Sequence, residues 1–272
     1  MFNLKLQFVK DELITFEEKE HVYTYEPNKK RFTSCTTFIK QFFPSFNAKR
    51  VGATSIHSKK YKKQLEEYAT DEAKLEALLK IWEANGLEAR TLGTNLHANI
   101  EHYLNEELDP SQDTSVEFQQ FLKFHQKMID CKYIPLRSEA IVYDTKHEIC
   151  GTIDQLYLKD GYVHIVDWKR TKGITQFSFD KSTAYMPLVH LKNTNFYHYS
   201  LQLNLYKYIL EHNYNLKVCS MRLVAFYPTK ESYEEVFVND LQREIRWILE
   251  AHKMDQTDDK EDGLEGIEGE LP

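Results

Sequence analysis

The stretch Gly151–Lys169, GTIDQLYLKDGYVHIVDWK, decides the fold. Two runs of apolar, β-branched and aromatic residues are separated by Asp160-Gly161, a dipeptide suited to a two-residue hairpin turn in which both central positions take positive φ. With Lys159 and Tyr162 as the first pair, each outward step keeps the same sum of residue numbers, and Asp154 falls opposite Asp167. Alternation puts Asp154, Leu156 and Leu158 on one face with Val163, Ile165, Asp167 and Lys169. Gln155, Tyr157, His164 and Trp168 take the reverse face. Like charges paired across two strands are destabilising, and carboxylates at the edge of a buried face cost several kcal/mol when uncompensated. A divalent cation with oxygen ligands is the simplest compensation. Taken alone, the same residues also suit an ordinary hairpin with an Asp near each outer end and Lys169 as ion-pair partner.

Upstream, SEAIVYD alternates as a strand, with Glu139, Ile141 and Tyr143 on one face, and is expected to pair with the hairpin. Before it, Val116, Phe121, Leu122, His125, Met128 and Ile129 mark an amphipathic helix. A further helix is expected from about Leu87 to Glu106, with Leu92, Leu96 and Ile100 as its core stripe and Gly93, His97 and Glu101 one turn apart beside it. Glycine is poor in a helix interior, so Gly93 one turn before His97 implies a close approach to the backbone there. Downstream, FYHYSLQLNLYKYILE is an amphipathic helix in which Gln202 and Tyr206 share a face, with Tyr199 a turn earlier.

Toward the N-terminus, residues 2 to 33 suggest two or three strands with a turn at Pro27-Asn28. Thr33 or Ser34 then caps a short helix ending before Pro44. Residues 55 to 69 suggest one exposed helix, and Thr70 begins another that ends at Asn85-Gly86. Beyond the Gln202 helix, strands at about 216 to 227 and 232 to 238 and a helix from about Leu241 to Met254 complete the pattern.

The formal charge of −7 is unevenly distributed: residues 255 to 272 hold eight acids against one base, so the rest of the chain is formally neutral. Bases cluster at Lys29-Lys30-Arg31, at Lys49-Arg50, and at Lys59-Lys60 with Lys62-Lys63. Such runs suit a nucleic-acid surface as well as a merely solvated one. Cys35, Cys131, Cys150 and Cys219 show no metal-cluster spacing, which argues against a zinc ribbon, an iron–sulfur cluster and a disulfide framework. No apolar run approaches membrane-spanning length, and the N-terminus reads neither as a secretory signal nor as a transit peptide. A soluble, intracellular protein without membrane association is expected.

The order of these features is a helix with His97, a strand with Glu139, a strand with Asp154, a strand with Asp167-Trp168-Lys169 and a helix with Gln202 and Tyr206. It resembles the PD-(D/E)XK nuclease superfamily, and within it the RecB-like exonuclease branch, matched here by GTNLH, SEA, GTID, DWK and QLNLY. The resemblance implies an α/β, restriction-endonuclease-like core: a central mixed β-sheet flanked by helices, plus an N-terminal helical lobe. Residues 1–254 would form one nuclease domain, with strands and lobe in 1–86 and the catalytic core in 87–254. Residues 255–272 would be an acidic disordered tail, available to a protein partner.

For the site, the resemblance implies one or two Mg²⁺ or Mn²⁺ ions held by Asp154, Asp167, His97 and the Trp168 backbone carbonyl. Lys169 would reach the attacking water or the scissile phosphate. Glu139 would bind a metal or orient a metal-bound water, and Gln202 and Tyr206 would support the lysine or contact DNA. Imidazole ligation favours Mn²⁺. The expected activity is metal-dependent cleavage of DNA, as an exonuclease on ends or single strands in replication, repair or recombination. A structure-specific endonuclease, or a binding subunit with a vestigial site, is the alternative.

Overall fold

The computed structural model describes residues 11–17, 20, 22–178 and 181–262. Its strands are β1 (Ile14–Glu17), β2 (Val22–Tyr25), β3 (Lys30–Ser34), β4 (Ile134–Asp144), β5 (Ile149–Lys159), β6 (Tyr162–Arg170), β7 (Val218–Phe226) and β8 (Glu234–Phe237). Its helices are α1 (Cys35–Lys40), α2 (Ala48–Ser55), α3 (Asp71–Leu104), α4 (Val116–Asp130), α5 (Asn195–Asn213) and α6 (Gln242–Asp262). Among the described residues the strands form one eight-stranded mixed sheet in the order β1-β2-β3-β5-β6-β7-β8, with β4 also paired to β5. This is the expected α/β core.

The hairpin stands as its turn chemistry predicts. Asp160 and Gly161 have φ of 51° and 80°, and β5 pairs antiparallel with β6 from Gln155↔Val166 to Lys159↔Tyr162. The ladder stops there, one step short of Asp154 and Asp167. On the other edge, β4 pairs with β5 from Ile134↔Leu158 to Asp144↔Ile149. Parallel β3 joins β5 only at Ile149 and Cys150. β5 is therefore the stem of a fork: β3 holds its beginning, β6 holds its end, and Gly151 to Asp154 lie in the gap between them.

Both faces of the sheet are covered. Leu156, Val163, Ile165 and Leu223 pack with α1, α5 and α6 through Phe38, Leu201, Leu205, Ile209 and Ile248. On the reverse face Tyr157, Val166, Trp168 and Phe226 pack with α3 and α4 through Leu96, Ile100, Phe118, Phe121 and Phe124. A smaller core of Ile14, Tyr23, Phe32, Tyr143 and Cys150 anchors the N-terminal strands.

Strict alternation fails at one point. Ile153 and Leu156, three residues apart, belong to the same core, so β5 shifts its phase between them and Asp154 leaves the face of Leu156 and Leu158. The neighbouring strand is irregular at the same level: Glu139 has φ of 44° and is skipped between the pairs Ser138↔Gln155 and Ala140↔Ile153. An extra residue in each strand re-aims a side chain, as β-bulges do.

Ser34 caps α1, accepting from the Thr37 amide, as its hydroxyl chemistry suggests. Two helix expectations change. α3 is one 34-residue helix with Thr70 at its N-cap. It runs through Asn85-Gly86, because about 1 kcal/mol for an interior glycine is outweighed by the helix formers around it. The helix end expected at Asn85-Gly86 is absent. Residues 56 to 67 are turns rather than a helix, although Ile56 and Leu65 are buried with Ala77 and Leu78 of α3. At the other end α6 keeps helical backbone past Met254 to Asp262, where a disordered tail was expected. The remainder of that tail, 263–272, lies outside the described residues.

Candidate active site

Three elements deliver a compact donor set at the mouth of the fork. His97 comes from the last turns of α3, Glu139 from the irregular point of β4, and Asp154 from the phase shift of β5. One ligand atom from each lies within 4.8 Å of the others, and this is the metal-capable cluster found among the described residues. His97 Nδ1 stands 3.9 Å from Glu139 and 3.7 Å from Asp154. The imidazole is oriented from behind: its Nε2 lies 3.1 Å from the Trp168 carbonyl oxygen. A carbonyl only accepts, so Nε2 carries the proton and donates. In the neutral ring Nδ1 then presents its lone pair to the two carboxylates, the tautomer a metal ligand requires.

This donor set fits a divalent cation. Oxygen ligands stand about 2.0–2.6 Å from Mg²⁺ or Ca²⁺, so ligand atoms around one ion lie within about 5 Å of each other. One imidazole with two carboxylates supplies more negative charge than His97 alone can neutralise. Burial pushes the His97 pKa down, but Asp154 and Glu139 outweigh it and raise it to about 9, with Lys169 opposing. Asp154 is raised in turn by burial, against the pull of His97 and Lys169.

Asp167 lies outside this three-residue cluster but within its field, since both Asp154 and His97 act on its carboxylate. Its buried carboxylate approaches Lys169 Nζ at 2.6 Å, and the ammonium also sits 4.8 Å from the centre of the Tyr199 ring. Burial lifts the Asp167 pKa to about 6, with Lys169 pulling it down and Asp154 adding to the rise. The Lys169 pKa is pushed down by burial but raised overall by Asp167 and Asp154, so the side chain stays an ammonium. The facing pair Asp154–Asp167 of the hairpin register is thus divided. Asp154 turns to His97 and Glu139, while Asp167 holds Lys169. The halves stay in touch: the Trp168 amide donates to Asp154 Oδ2 at 2.7 Å, and the charges of Asp154 and Lys169 act on each other.

The expected α5 pair occupies a different level. Gln202 Nε2 donates to the Tyr206 hydroxyl at 3.0 Å, and Tyr206 is buried. A Cβ at Gly151 would come within 2.7 Å of the Tyr206 ring, so the glycine of GTID is where α5 presses on the gap of the fork. The lysine is met by Tyr199, the residue one turn before Gln202. Its signal in the sequence was that shared helix face, but only the packing of α5 selects which aromatic reaches Lys169. Nothing in the sequence pointed to Phe16 and Tyr23 of the N-terminal strands, which line a cavity with Gly93, His97 and Glu139.

A basic segment packs on the first half of the helix that carries His97: the Trp82 indole donates to Tyr61 of the Lys59–Lys63 run at 2.9 Å. Burial raises the Tyr61 pKa, but Lys60, the Trp82 indole and Lys172 together lower it. Lys172, three residues beyond Lys169, therefore lies near the Lys59–Lys63 run. At the base of the same connection, Arg170 is tied to Glu117 of α4 at 2.7 Å.

A family model, the PD-(D/E)XK nuclease superfamily, matches residues 56–269. Among solved structures, the crystal structure of SSO0001 is 14% identical, covers 82% of this chain and 75% of that chain, and has a TM-score of 0.32. A crystal structure named "Putative exonuclease" from Eubacterium rectale is 15% identical, covers 83% of this chain and 79% of that chain, and has a TM-score of 0.36. No curated protein matches.

Proposed function

Because the chain belongs to the PD-(D/E)XK nuclease superfamily, we propose that it is a divalent-metal-dependent deoxyribonuclease acting on DNA ends or single strands. The observation that carries this reading is the convergence of His97, Glu139 and Asp154 beside an ammonium fixed by Asp167 and Tyr199.

A divalent cation supplies Lewis-acid stabilisation of phosphoryl oxygens and lowers the pKa of a bound water. His97, Glu139 and Asp154 are the residues that would hold it, and the imidazole favours Mn²⁺. Asp167 and Asp154 hold Lys169 as an ammonium. Its work is electrostatic: a fixed positive donor aimed where negative charge grows on the phosphate. Asp167 keeps the ammonium in place, and the Tyr199 ring limits its swing. The Trp168 peptide, between Asp167 and Lys169, steers the cluster at two points, with its carbonyl orienting His97 and its amide orienting Asp154. The Lys59–Lys63 run and Lys172 would meet the phosphate backbone, which makes affinity steeply salt-dependent.

The test is a panel of end-labelled single-stranded, duplex and covalently closed circular DNA with Mn²⁺, Mg²⁺ or EDTA. Linear substrates are expected to be degraded with either metal, faster with Mn²⁺, and to survive in EDTA, while closed circles stay intact. Cleavage of circles would replace the exonuclease reading with an endonuclease. Inactivity on every substrate would sink the enzyme reading.

A further inference from the structure

Between Glu26 and Glu66 the chain carries ten lysines and arginines and no aspartate or glutamate, although its formal charge is −7 overall. Lys29 and Lys30 are taken up by Glu26 and Glu148. Lys40, Lys49, Arg50 and the four lysines of residues 59–63 have no carboxylate partner among the described residues. The segment runs from one flank of the site to the other. At its α1 end, Lys40 borders a cleft of about 460 Å³ with His198, Tyr199 and Gln202 of α5, and Tyr199 is the ring that covers Lys169. At its far end, Ile56 and Leu65 pack with Ala77 and Leu78 of α3.

Phe46 stands between these ends and is 70% exposed. Single exposed apolar side chains are ordinary on a protein surface, but this one is held out by a loop fixed on both sides. The Phe43 ring lies 4.0 Å from that of His198, and the Pro44 carbonyl accepts from Asn193 Nδ2 at 3.2 Å. Asn47 caps α2, accepting from the Arg50 amide at 2.9 Å. Among the described residues Phe46 has one aromatic contact, Trp82 of α3, with ring centres 6.1 Å apart and 48° between planes. That loose, tilted contact leaves most of the ring to solvent. Ser45, Asn47, Lys49 and Arg50 around it are exposed, a polar and positive setting that suits nucleic acid rather than an apolar protein contact.

We propose that Phe46 stacks one unpaired nucleobase of the DNA strand and that Lys40, Lys49 and Arg50 hold the phosphates on either side of it. The inference rests on the nuclease reading and gives its substrate a form: the strand lies single along the acid-free segment, because a base on Phe46 has exchanged a neighbouring base for a phenyl ring. Every base has a π-face and the cations meet only phosphate, so this surface selects strandedness rather than sequence. Phe46 acts as a specificity residue and takes no part in the chemistry.

The experiment measures binding of fluorescent single-stranded oligonucleotides in which one abasic residue is walked along the strand. It uses the full-length chain carrying Lys169→Met, so that cleavage is slowed, with Mn²⁺ present. One position is expected to weaken binding by about five- to 150-fold, the worth of one base–aromatic stack. Adding Phe46→Ala should lower affinity for the intact strand by a similar factor and erase the response at that position. Phe46→Leu should behave like alanine, and Phe46→Trp should keep the response. Lys40→Gln, Lys49→Gln and Arg50→Gln together should flatten the slope of log affinity against log salt by about two, a slope that the Phe46 variants leave unchanged. A flat abasic profile, or a response that survives Phe46→Ala, overturns the stack, and an unchanged slope in the triple variant overturns the phosphate contacts. Cleavage by the unmutated chain is read alongside: cleavage with a flat profile removes only this surface, whereas a position-specific profile without cleavage removes only the nuclease reading.

Discussion

The two halves of the site lie on the same hairpin yet are built in opposite electrostatic senses. On the α3 side, Glu139 and Asp154 face one imidazole, an arrangement short of positive charge. On the α5 side, Asp167 and Lys169 form a closed pair under Tyr199, with its charge already balanced. A cation would complete the first half, whereas the second already holds the Lys169 ammonium against Asp167. The difference teaches that a pair of facing aspartates can be separated by a one-residue change of strand phase, one turning to His97 and Glu139 and the other to Lys169.

The sharpest way to break that comparison is to remove one member from each half. Asp154→Asn should lower cleavage by about 1,000-fold and abolish cation binding in calorimetry. Lys169→Met should lower cleavage by roughly 100- to 1,000-fold while cation binding persists. If Lys169→Met also lost the cation, the halves would not be separate. Next in size is a pH effect confined to the α3 side. His97 in the apoprotein holds its proton to about pH 9, so cation binding must expel that proton and affinity should rise with pH until about 9, then level off. Calorimetry in buffers of different ionisation enthalpy should read up to one proton released per ion near pH 7.5. Because the folded imidazole binds its proton more tightly than the unfolded one, apoprotein stability should be fullest below its ordinary pKa of 6.5 and decline as pH rises through 9.

Smaller effects should come from the α5 support. Gly151→Ala puts a methyl group 2.7 Å from the Tyr206 ring and should cost about 1–3 kcal/mol, visible as a lower Tm and a weakened site. Tyr206→Phe removes only the hydroxyl that accepts from Gln202. It should cost about 0.5–1.5 kcal/mol and leave cation binding unchanged.

Much of this was legible in the sequence because it is local. Asp160-Gly161 set the register of five hairpin pairs, and helical spacing placed His97 beside its core stripe. The order of the strands brought Glu139, Asp154 and Asp167 onto neighbouring chains. What escaped depended on partners. The phase shift at Asp154 needs β4 to be irregular at Glu139, and no single strand reveals that. Tyr199 stood on the same helix face as Gln202, yet its place over Lys169 follows from how α5 docks. The continuity of α3 through Gly86 is a sum of many small preferences over one conspicuous residue. Phe16 and Tyr23 belong to strands that reach the site only because β3 joins the far arm of the fork.

That unbroken α3 has a mechanical consequence. Asp71 stands 3.3 Å from His57 at the edge of the lysine-rich segment, and His97 lies about 39 Å farther along the same helix at about 1.5 Å per residue. The helix is a rod with its handle among the basic residues and its tip in the cation cluster. A load applied at the handle would reach the imidazole without crossing a joint. Any such coupling is reciprocal: the factor by which DNA tightens the hold on the cation is the factor by which the cation tightens the hold on DNA.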